Sequence, residues 1–253
     1  MSEQRAMRLV DASRSDVGKV RSNNEDALLA RPQVGLWAVC DGMGGYERGE
    51  WASDRITSAL GAAPVSGDFD ADTAAIAAAI HGANAAIYAE AHGSGGPMGS
   101  TVVALLVSGR RFAVLWAGDS RAYLLRGGEL HRLSRDHSQV QEMVDRGLLT
   151  AEEARGHPMS NILTRAAGVE PGLALDAIAD EVEVGDVFLL CSDGLHGVVS
   201  DTEIVRALTL RPHDACESLV DLTLSRGAPD NVTVIAVACE EVTRLTLLAP
   251  AGG

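Results

Sequence analysis

The chain has 253 residues, 46% of them hydrophobic and 22% charged, which is typical of a globular protein with a substantial core. Its formal net charge of −14 argues against a surface for nucleic acid or anionic membranes. No apolar run approaches the roughly 18 residues of a membrane span, and no signal peptide is recognisable, so we expect a cytoplasmic protein that binds no membrane.

The first third of the chain predicts one strand followed by two helices. Leu36–Cys40 is an apolar run long enough for a buried strand and too short for a helix. After a glycine-rich turn, Glu50–Leu60 looks helical, and Asp72 or Thr73 is expected to cap a second helix. The apolar stripe of that second helix recurs at helical spacing, at Ile76, Ile80, Ala83 and Ile87.

The hydrophobic period then changes to that of strands. Four strand-sized runs follow one another without an intervening helix, at Thr101–Val107, Arg111–Ala117, Arg121–Leu125 and Glu129–Leu133. Gly109 and the pair Gly127-Gly128 separate them and are typical of hairpin turns. Consecutive short strands of this kind indicate antiparallel pairing rather than a doubly wound parallel sheet.

The second half of the chain contains both helical and strand-like segments. A helix is expected over Ser138–Arg146 and another around Cys216–Thr223, with an irregular stretch over residues 150–168. Strands are expected at Leu173–Ala179, Val187–Cys191, Val232–Ala238 and Val242–Leu248. Strand-rich and helix-rich segments are partly segregated, which indicates an α+β fold, and the lack of repeats or linkers favours one domain over residues 1–253.

The four cysteines show no spacing typical of a metal site. Cys40, Cys191, Cys216 and Cys239 include no CxxC pair, and three of them lie inside apolar strand-like runs. We therefore expect buried, reduced thiols rather than disulfides or zinc ligands.

Three aspartates, Asp41, Asp193 and Asp230, stand next to apolar runs. Each is followed by Gly or Asn, so each alone is typical of a turn that closes a strand. If the three converge, like charges about 5 Å apart repel by roughly 3 kcal/mol at an effective dielectric of about 20. A cation between them would relieve that repulsion, and ligands that are all oxygen suit Mg²⁺ or Mn²⁺. The sequence therefore predicts a metal enzyme.

Five short motifs fall in order along nearly the whole chain. They are the stretch Asp16–Asp26, Asp41-Gly42-Met43-Gly44-Gly45, Gly118-Asp119-Ser120-Arg121, Ser192-Asp193-Gly194 and Pro229-Asp230-Asn231. Together they resemble the bacterial branch of the metal-dependent protein phosphatases (PPM, protein phosphatase type 2C), which remove phosphate from serine and threonine. The resemblance implies a four-layer αββα sandwich, with two antiparallel sheets face to face, helices outside each, and a metal centre at one end.

The resemblance also implies ligands for two Mn²⁺ or Mg²⁺ ions. Asp41 would bridge both ions and the carbonyl of Gly42 would bind one of them, while Asp193 and Asp230 would hold the other. The two ions would lower the pKa of a bridging water, so that it attacks phosphorus at neutral pH without a protein nucleophile. Asp41 and Asp193 are thus the acidic residues most directly expected to support catalysis.

Further polar residues take supporting roles in the same resemblance. Glu25 and Asp26 would steady bound waters or touch a metal. Asp119 would, with Asp193, help to hold a third and weaker ion. Arg21 would clamp the substrate phosphate, because a guanidinium fork matches phosphate oxygens bidentately.

Two positions depart from the pattern of many relatives. Met43 stands where many eukaryotic members carry a histidine proposed as general acid, and Met is common there in bacterial members. A thioether cannot donate a proton, so the leaving group must be protonated by water or another group. Tyr46 stands where many bacterial relatives have His, and we expect it to tune activity without touching the ligands.

A second local resemblance concerns substrate docking. His157–Arg165 matches the flap segment of bacterial members, and we define the flap as residues 147–168, about the length that the resemblance implies. Gly35–Val39 and Asp136–Val140 also look similar to phosphatases associated with type VI secretion. There the partners would be a cognate threonine kinase and its phosphorylated scaffold substrate.

An alternative function belongs to a different class. A catalytically silent pseudophosphatase would keep the fold and act as a phosphoprotein-binding regulator. The presence of Asp41, Asp193 and Asp230 together with Arg21 favours the enzyme. The physiological substrate, the partner kinase, the oligomeric state and the choice between Mn²⁺ and Mg²⁺ stay open at this point.

Overall fold

The strands of the protein belong to two sheets. The structure, a computed structural model, describes residues 7–44, 47–154 and 157–242. In chain order the strands are β1 (Met7–Asp16), β2 (Asp26–Arg31), β3 (Leu36–Met43), β4 (Gly99–Ser100), β5 (Val102–Ser108), β6 (Arg111–Ala117), β7 (Arg121–Arg126), β8 (Glu129–Arg132), β9 (Asp176–Glu181), β10 (Val187–Cys191) and β11 (Val232–Glu241).

The helices flank these strands in the sequence. In chain order they are α1 (Glu47–Ala62), α2 (Phe69–Glu90), α3 (Gln139–Asp145), α4 (Ala151–Ala154), α5 (Asp193–His196), α6 (Asp201–Leu208) and α7 (Pro212–Ser225). No helix among the described residues is both long and apolar enough to cross a membrane.

All pairing between neighbouring strands is antiparallel within the described ranges. One sheet has the order β1-β11-β10-β7-β8 and the other the order β2-β3-β5-β6-β9, with β4 on β3. The first and last strands of the described chain pair along their whole length, from Met7 opposite Glu241 to Asp16 opposite Val232. This pairing brings the beginning of the chain to the last strand, as the predicted site requires.

The alternation of side chains along β3 explains the layers. Leu36, Ala38 and Cys40 pack on α1 and α2, whereas Trp37 and Val39 face the other sheet. A third apolar cluster joins that other sheet to α6 and α7. The order of layers is therefore helices, sheet, sheet, helices, which confirms the predicted α+β four-layer sandwich. That one domain spans residues 1–253 stays a prediction, because both termini lie outside the described residues.

Several predicted boundaries differ from the structure. The second helix is capped not by Asp72 or Thr73 but by Asp68, whose side chain accepts from two backbone N–H groups of the first turn. The expected strand Leu173–Ala179 begins only at Asp176. Val242 carries no strand, and residues 243–248 of the predicted last strand lie outside the described residues. Tyr46 and residues 155–156 of the flap also lie outside them.

Five of the named elements had no sequence prediction, namely β1, β2, β4, α5 and α6. β1 is an edge strand, and its alternation is blurred by Arg8, Asp11 and Arg14, which lie in partly or largely exposed positions. The cysteine prediction is confirmed, since all four thiols are free and buried.

Candidate metal centre

The end of β3 and the beginning of β2 place two carboxylates side by side. In the antiparallel register of these strands, Asp26 lies opposite Asp41. The backbone of Asp41 is fixed by Thr101, which accepts its N–H at Oγ1 (2.9 Å) and donates its own N–H to the Asp41 carbonyl (2.9 Å). The carboxylate therefore projects from a strand end that is held on both sides.

Asp193 and Asp230 lie beside two adjacent strands of the other sheet, Asp193 after β10 and Asp230 before β11. Asp193 is the first residue of α5, directly after β10, and its neighbour Ser192 bridges the two sheets. Ser192 Oγ donates to Asp26 Oδ2 (2.8 Å), and it also accepts the N–H of Thr233 in β11 (3.0 Å). The hydroxyl thus ties both sheets together at the edge where the acidic residues meet.

The electrostatic environment of these carboxylates strongly disfavours their charged forms. Burial raises the pKa of Asp26 to about 7 and that of Asp193 to about 6, with further upward contributions from neighbouring carboxylates. Burial raises the pKa of Asp41 well above its usual range, and the charges of Asp26, Asp193, Asp119 and Asp230 add to this. Acidic groups from five separate segments therefore influence one another at this site.

Asp119 lies in the turn between β6 and β7 and is buried. Burial raises its pKa well above the usual range, and the nearby charges of Asp193 and Asp136 raise it further. His196 Nε2 lies 3.0 Å from the Asp119 carbonyl and donates to it. This carboxylate therefore faces Asp193, the residue with which it was predicted to share an ion.

Three buried carboxylate oxygens have no hydrogen-bond partner among the described residues: Glu25 Oε1, Asp26 Oδ1 and Asp193 Oδ1. Leaving a buried polar group unsatisfied costs roughly 1–3 kcal/mol, and more if it is charged. Three such oxygens in one place need a positive partner, and a hard divalent cation takes oxygen ligands of this type. The donor set of this chain therefore fits Mn²⁺ or Mg²⁺.

The acidic side chains lie close enough for their charges to interact, but they do not form a complete ion site. Within residues 7–44, 47–154 and 157–242, no group of three or more His, Cys, Asp or Glu side chains is already arranged to hold an ion. A bound cation would therefore have to draw the ligands inward.

Arg21 forms a salt bridge with Asp230, one of the predicted metal ligands. Its Nη2 donates to Asp230 Oδ2 (2.7 Å), and the side chain is half-exposed at the rim of the site. The bond to Asp230 and its charge raise the pKa of the guanidinium. In this arrangement the guanidinium supplies the positive charge that a cation would otherwise provide to Asp230.

Glycines allow the backbone to approach closely beside the carboxylates. A Cβ on Gly42 would lie 2.1 Å from the carbonyl oxygen of Gly49, so no larger residue fits without movement. The Gly42 N–H donates to the Glu25 carbonyl (3.1 Å), which also accepts from Ser53 Oγ (2.6 Å). Glu25 and Asp41-Gly42 are thereby packed against the first turns of α1.

Sequence reasoning missed the residue that holds the Arg21 segment in place. Asn231 Nδ2 donates to the carbonyls of Val17 (2.9 Å) and Asn23 (3.0 Å), and its Oδ1 accepts the N–H of Glu25 (2.8 Å). The signal in the sequence is the amide directly after Asp230, which the motif Pro229-Asp230-Asn231 contains without indicating its role. Thr101 and Ser192 were missed in the same way, because hydroxyls beside strands have many ordinary roles.

Comparison with known proteins decides the family. The model of the family described as Protein phosphatase 2C matches residues 3–143 of this chain. The chain belongs to the protein phosphatase 2C family. It is 41% identical over 230 residues to the serine/threonine protein phosphatase PstP of Mycobacterium tuberculosis, covering 88% of this chain and 44% of PstP. It therefore spans less than half the length of that relative.

Other similar proteins match over nearly the whole of the compared chain. The serine/threonine phosphatase Stp of Listeria monocytogenes is 33% identical over 241 residues, with 88% of this chain and 93% of Stp covered. The solved structure of PppA, described as a key regulatory component of T6SS in Pseudomonas aeruginosa, has a TM-score of 0.86 at 43% identity, covering 92% of this chain and 98% of PppA. The PstP catalytic domain in complex with two manganese ions has a TM-score of 0.82 at 38% identity, with 93% and 100% covered.

Proposed function

We propose that this chain is a metal-dependent serine/threonine phosphoprotein phosphatase, a hydrolase of phosphomonoesters. The observation that carries the proposal is the meeting of acidic residues from both sheets, with three buried oxygens that lack donors among the described residues. Membership of the protein phosphatase 2C family supports it, and so does the PstP structure with two manganese ions.

In this proposal the chain holds two Mn²⁺ or Mg²⁺ ions. Asp41 takes part in both sites, the Gly42 carbonyl in one, and Asp193 and Asp230 in the other. When bound, such ions lower the pKa of a coordinated water and stabilise charge on a phosphoryl group. The raised carboxyl pKa values support the assignment, since a buried acidic cluster of this kind gains most from a cation.

Three further acidic residues support this centre. Glu25 and Asp26 orient water through their unpaired oxygens or touch an ion directly. Asp119 helps Asp193 to hold a third, weaker ion, in line with the influence of the Asp193 charge on the pKa of Asp119.

Arg21 binds the substrate phosphate. Cations at Asp230 would neutralise the carboxylate that now holds the guanidinium, so Arg21 becomes free to pair with a phosphate instead. Its half-exposed position at the rim suits a group that meets incoming substrate. Met43 offers no proton, so water or another group must protonate the leaving alkoxide.

The proposed partners are phosphorylated serine and threonine proteins and a cognate serine/threonine kinase. The similarity to PppA supports a role in type VI secretion, and the similarity to PstP supports dephosphorylation of serine and threonine in proteins. We place the enzyme in the cytoplasm, which the four free, buried thiols support.

The test is Mn²⁺-dependent hydrolysis of a phosphothreonine peptide and of p-nitrophenyl phosphate. Asp193→Asn removes a proposed ligand and should lower turnover by about 100-fold or more. Asp180→Asn changes an exposed aspartate of β9 in the same way and should leave turnover unchanged. If the unmodified chain binds the phosphopeptide but is inert with every divalent cation, the pseudophosphatase alternative replaces the enzyme.

A further inference from the structure

The returning arm of the flap, residues 162–167, is attached to the body at two points. Ala167 pairs with Ser100 through two backbone hydrogen bonds, of 2.9 and 3.0 Å. Leu163 forms a second isolated bridge, with Ser138, and the Gln139 N–H donates to the Ile162 carbonyl (2.9 Å). Both attachments lie next to residues that hold the proposed metal ligands.

The first attachment leads to Asp41. Ser100 is followed by Thr101, which makes two hydrogen bonds to the backbone of Asp41. A displacement of the arm at Ala167 would therefore be transmitted to the Asp41 backbone through Ser100 and Thr101.

The second attachment leads to Asp119 through His137, which is buried. Its carbonyl accepts the Thr164 N–H (2.8 Å) from the arm. On its other side it contacts Gly118, donating its N–H to the Gly118 carbonyl (2.9 Å) and accepting the Gly118 N–H at Nδ1 (3.1 Å). His137 thus joins the arm directly to the turn that carries Asp119.

The ring of His137 is also fixed from the side of the flap. Because Nδ1 accepts from Gly118, the proton lies on Nε2, which faces Asp176 Oδ2 (3.2 Å). Arg165, a residue of the arm, donates from Nη1 to Asp176 Oδ1 (2.7 Å) and lies 3.0 Å from the same ring nitrogen. Side chains of the arm, of β9 and of His137 therefore form one contact group.

The two attachments contact each other beneath the arm. Thr101 Oγ1 and Ser120 Oγ lie 2.7 Å apart within hydrogen-bond distance. A Cβ on Gly118 would lie 2.6 Å from the Thr101 side chain, so the turn and Thr101 are closely packed. A continuous set of hydrogen bonds and close contacts thus runs from the arm to Asp41 and Asp119.

We propose that His137 is a positioning residue that couples the flap to the turn carrying Asp119. Docking of a phosphoprotein on the flap and cation binding at Asp119 then strengthen each other by the same factor, about five-fold or more. The flap presents exposed apolar side chains, Leu148 and Ile162, to such a partner. This inference rests on the proposed function and adds the means by which substrate docking would reach the cation site.

Hydrogen exchange with and without Mn²⁺ tests the coupling directly. In the unmodified chain, Mn²⁺ should slow exchange of the Thr164 and Ala167 amides, which bond to His137 and Ser100. In His137→Ala the slowing at Thr164 should be lost while that at Ala167, which bonds to Ser100, should persist, and calorimetry should show weaker Mn²⁺ binding at the weakest site by about five-fold or more. His131→Ala changes an exposed histidine of β8 and should behave like the unmodified chain.

A second variant covers the case in which the buried histidine is needed for folding. Arg165→Ala removes only a partly exposed contact of the arm, yet it should also abolish the effect of Mn²⁺ on the Thr164 amide. In both variants KM for a phosphothreonine peptide should rise several-fold more than KM for p-nitrophenyl phosphate, which is too small to reach the flap.

Two results would overturn the coupling. The first is unchanged protection of Thr164 by Mn²⁺ in a folded His137→Ala or Arg165→Ala protein that turns over p-nitrophenyl phosphate; the proposed function would then survive alone. The second is an unmodified chain that neither binds Mn²⁺ in the calorimeter nor hydrolyses either substrate, which would remove the proposed function as well.

Discussion

At the scale of single residues, Arg21 and a cation compete for Asp230. The guanidinium now lies 2.7 Å from Asp230 Oδ2, where it offsets the negative charge of the cluster. A divalent ion at Asp230 must displace it, and the freed guanidinium is then available to phosphate. Arg21 is thus proposed both to bind the substrate phosphate and to compete with a cation for Asp230. Its removal should therefore weaken substrate binding but not Mn²⁺ binding.

Arg21→Ala separates these effects. KM for a phosphothreonine peptide should rise by about 10- to 100-fold, the loss of charged hydrogen bonds worth roughly 1.5–3 kcal/mol. Mn²⁺ affinity should stay the same or increase, because a competitor for Asp230 is gone. Steady-state kinetics and calorimetry measure the two quantities. A variant with unchanged KM and weaker Mn²⁺ binding would assign Arg21 to the metal rather than to the substrate.

Gly42 is needed for its lack of a side chain. A Cβ there would lie 2.1 Å from the Gly49 carbonyl, so Gly42→Ala must move β3 away from α1. We expect a loss of about 1–3 kcal/mol in the free energy of unfolding, together with weakened Mn²⁺ binding. Urea denaturation and calorimetry provide the measurements. Gly82→Ala is the matched control, because a Cβ at Gly82 meets nothing within 4 Å.

Sequence reasoning found the acidic residues but not what orients them. Asp41, Asp193 and Asp230 each stand beside an apolar run, which is visible along the chain. The contacts of Asn231 with Val17, Asn23 and Glu25 span 206 to 214 residues of sequence, and that of Ser192 with Asp26 spans 166. Such contacts depend on which distant segments pair with each other, and the periodicity along one segment does not specify its partner.

At the scale of elements, the beginning of α2 shows how local chemistry misled the sequence prediction. Asp68 and Asp72 both suit a helix N-terminus, and Asp68 is the cap. Asp72 is buried within the first turns, and its carboxylate accepts from the Ser66 N–H (2.7 Å), the Gly67 N–H (2.8 Å) and Ser66 Oγ (2.9 Å). Asp72 therefore fixes the loop before the helix rather than its first turn.

Substitution distinguishes these two aspartates. Asp68→Ala should cost about 1 kcal/mol, the typical value of a lost cap. Asp72→Ala should cost more, about 2–3 kcal/mol, because the removal leaves buried N–H groups of the loop without an acceptor. Chemical denaturation of both variants gives the comparison. Equal or reversed costs would show that the loop contacts contribute little.

The strand elements were predictable where one face or both faces are buried. β6 and β10 have the bounds that the apolar runs predicted, since both are central strands. β1 and β9 lie at sheet edges, where β9 is largely exposed and its alternation is weak. Exposure at an edge removes the pattern on which the prediction depends.

At the scale of the whole molecule, the acidic cluster should make stability depend on pH and on cations together. Without cations, Asp26 and Asp193 have pKa values of about 7 and about 6. An unfolded aspartate has a pKa of about 3.9, so between about pH 4 and pH 7 the folded protein holds protons that the unfolded chain has released. Proton binding by Asp26 and Asp193 therefore contributes its full share to the free energy of unfolding below about pH 4. That contribution is lost as the pH rises from about 4 to about 7.

Bound cations should reverse this loss, because they bind the deprotonated carboxylates. The increase in Tm on adding saturating Mn²⁺ should therefore be larger at about pH 7.5 than at about pH 5. Thermal unfolding monitored by circular dichroism measures it at both pH values. Asp193→Asn should reduce both the increase and its pH dependence. An equal increase in Tm at the two pH values would contradict a role for the raised carboxyl pKa values.

The most direct measurement of the central claim is anomalous diffraction at the manganese edge from crystals grown with Mn²⁺. Two strong peaks should lie within coordination distance of Asp41, one of them shared with Asp193 and Asp230, and both should be absent in crystals grown with a chelator. Peaks elsewhere on the molecule, or a site without peaks at saturating Mn²⁺, would contradict the claim that these carboxylates form the metal centre of a phosphatase.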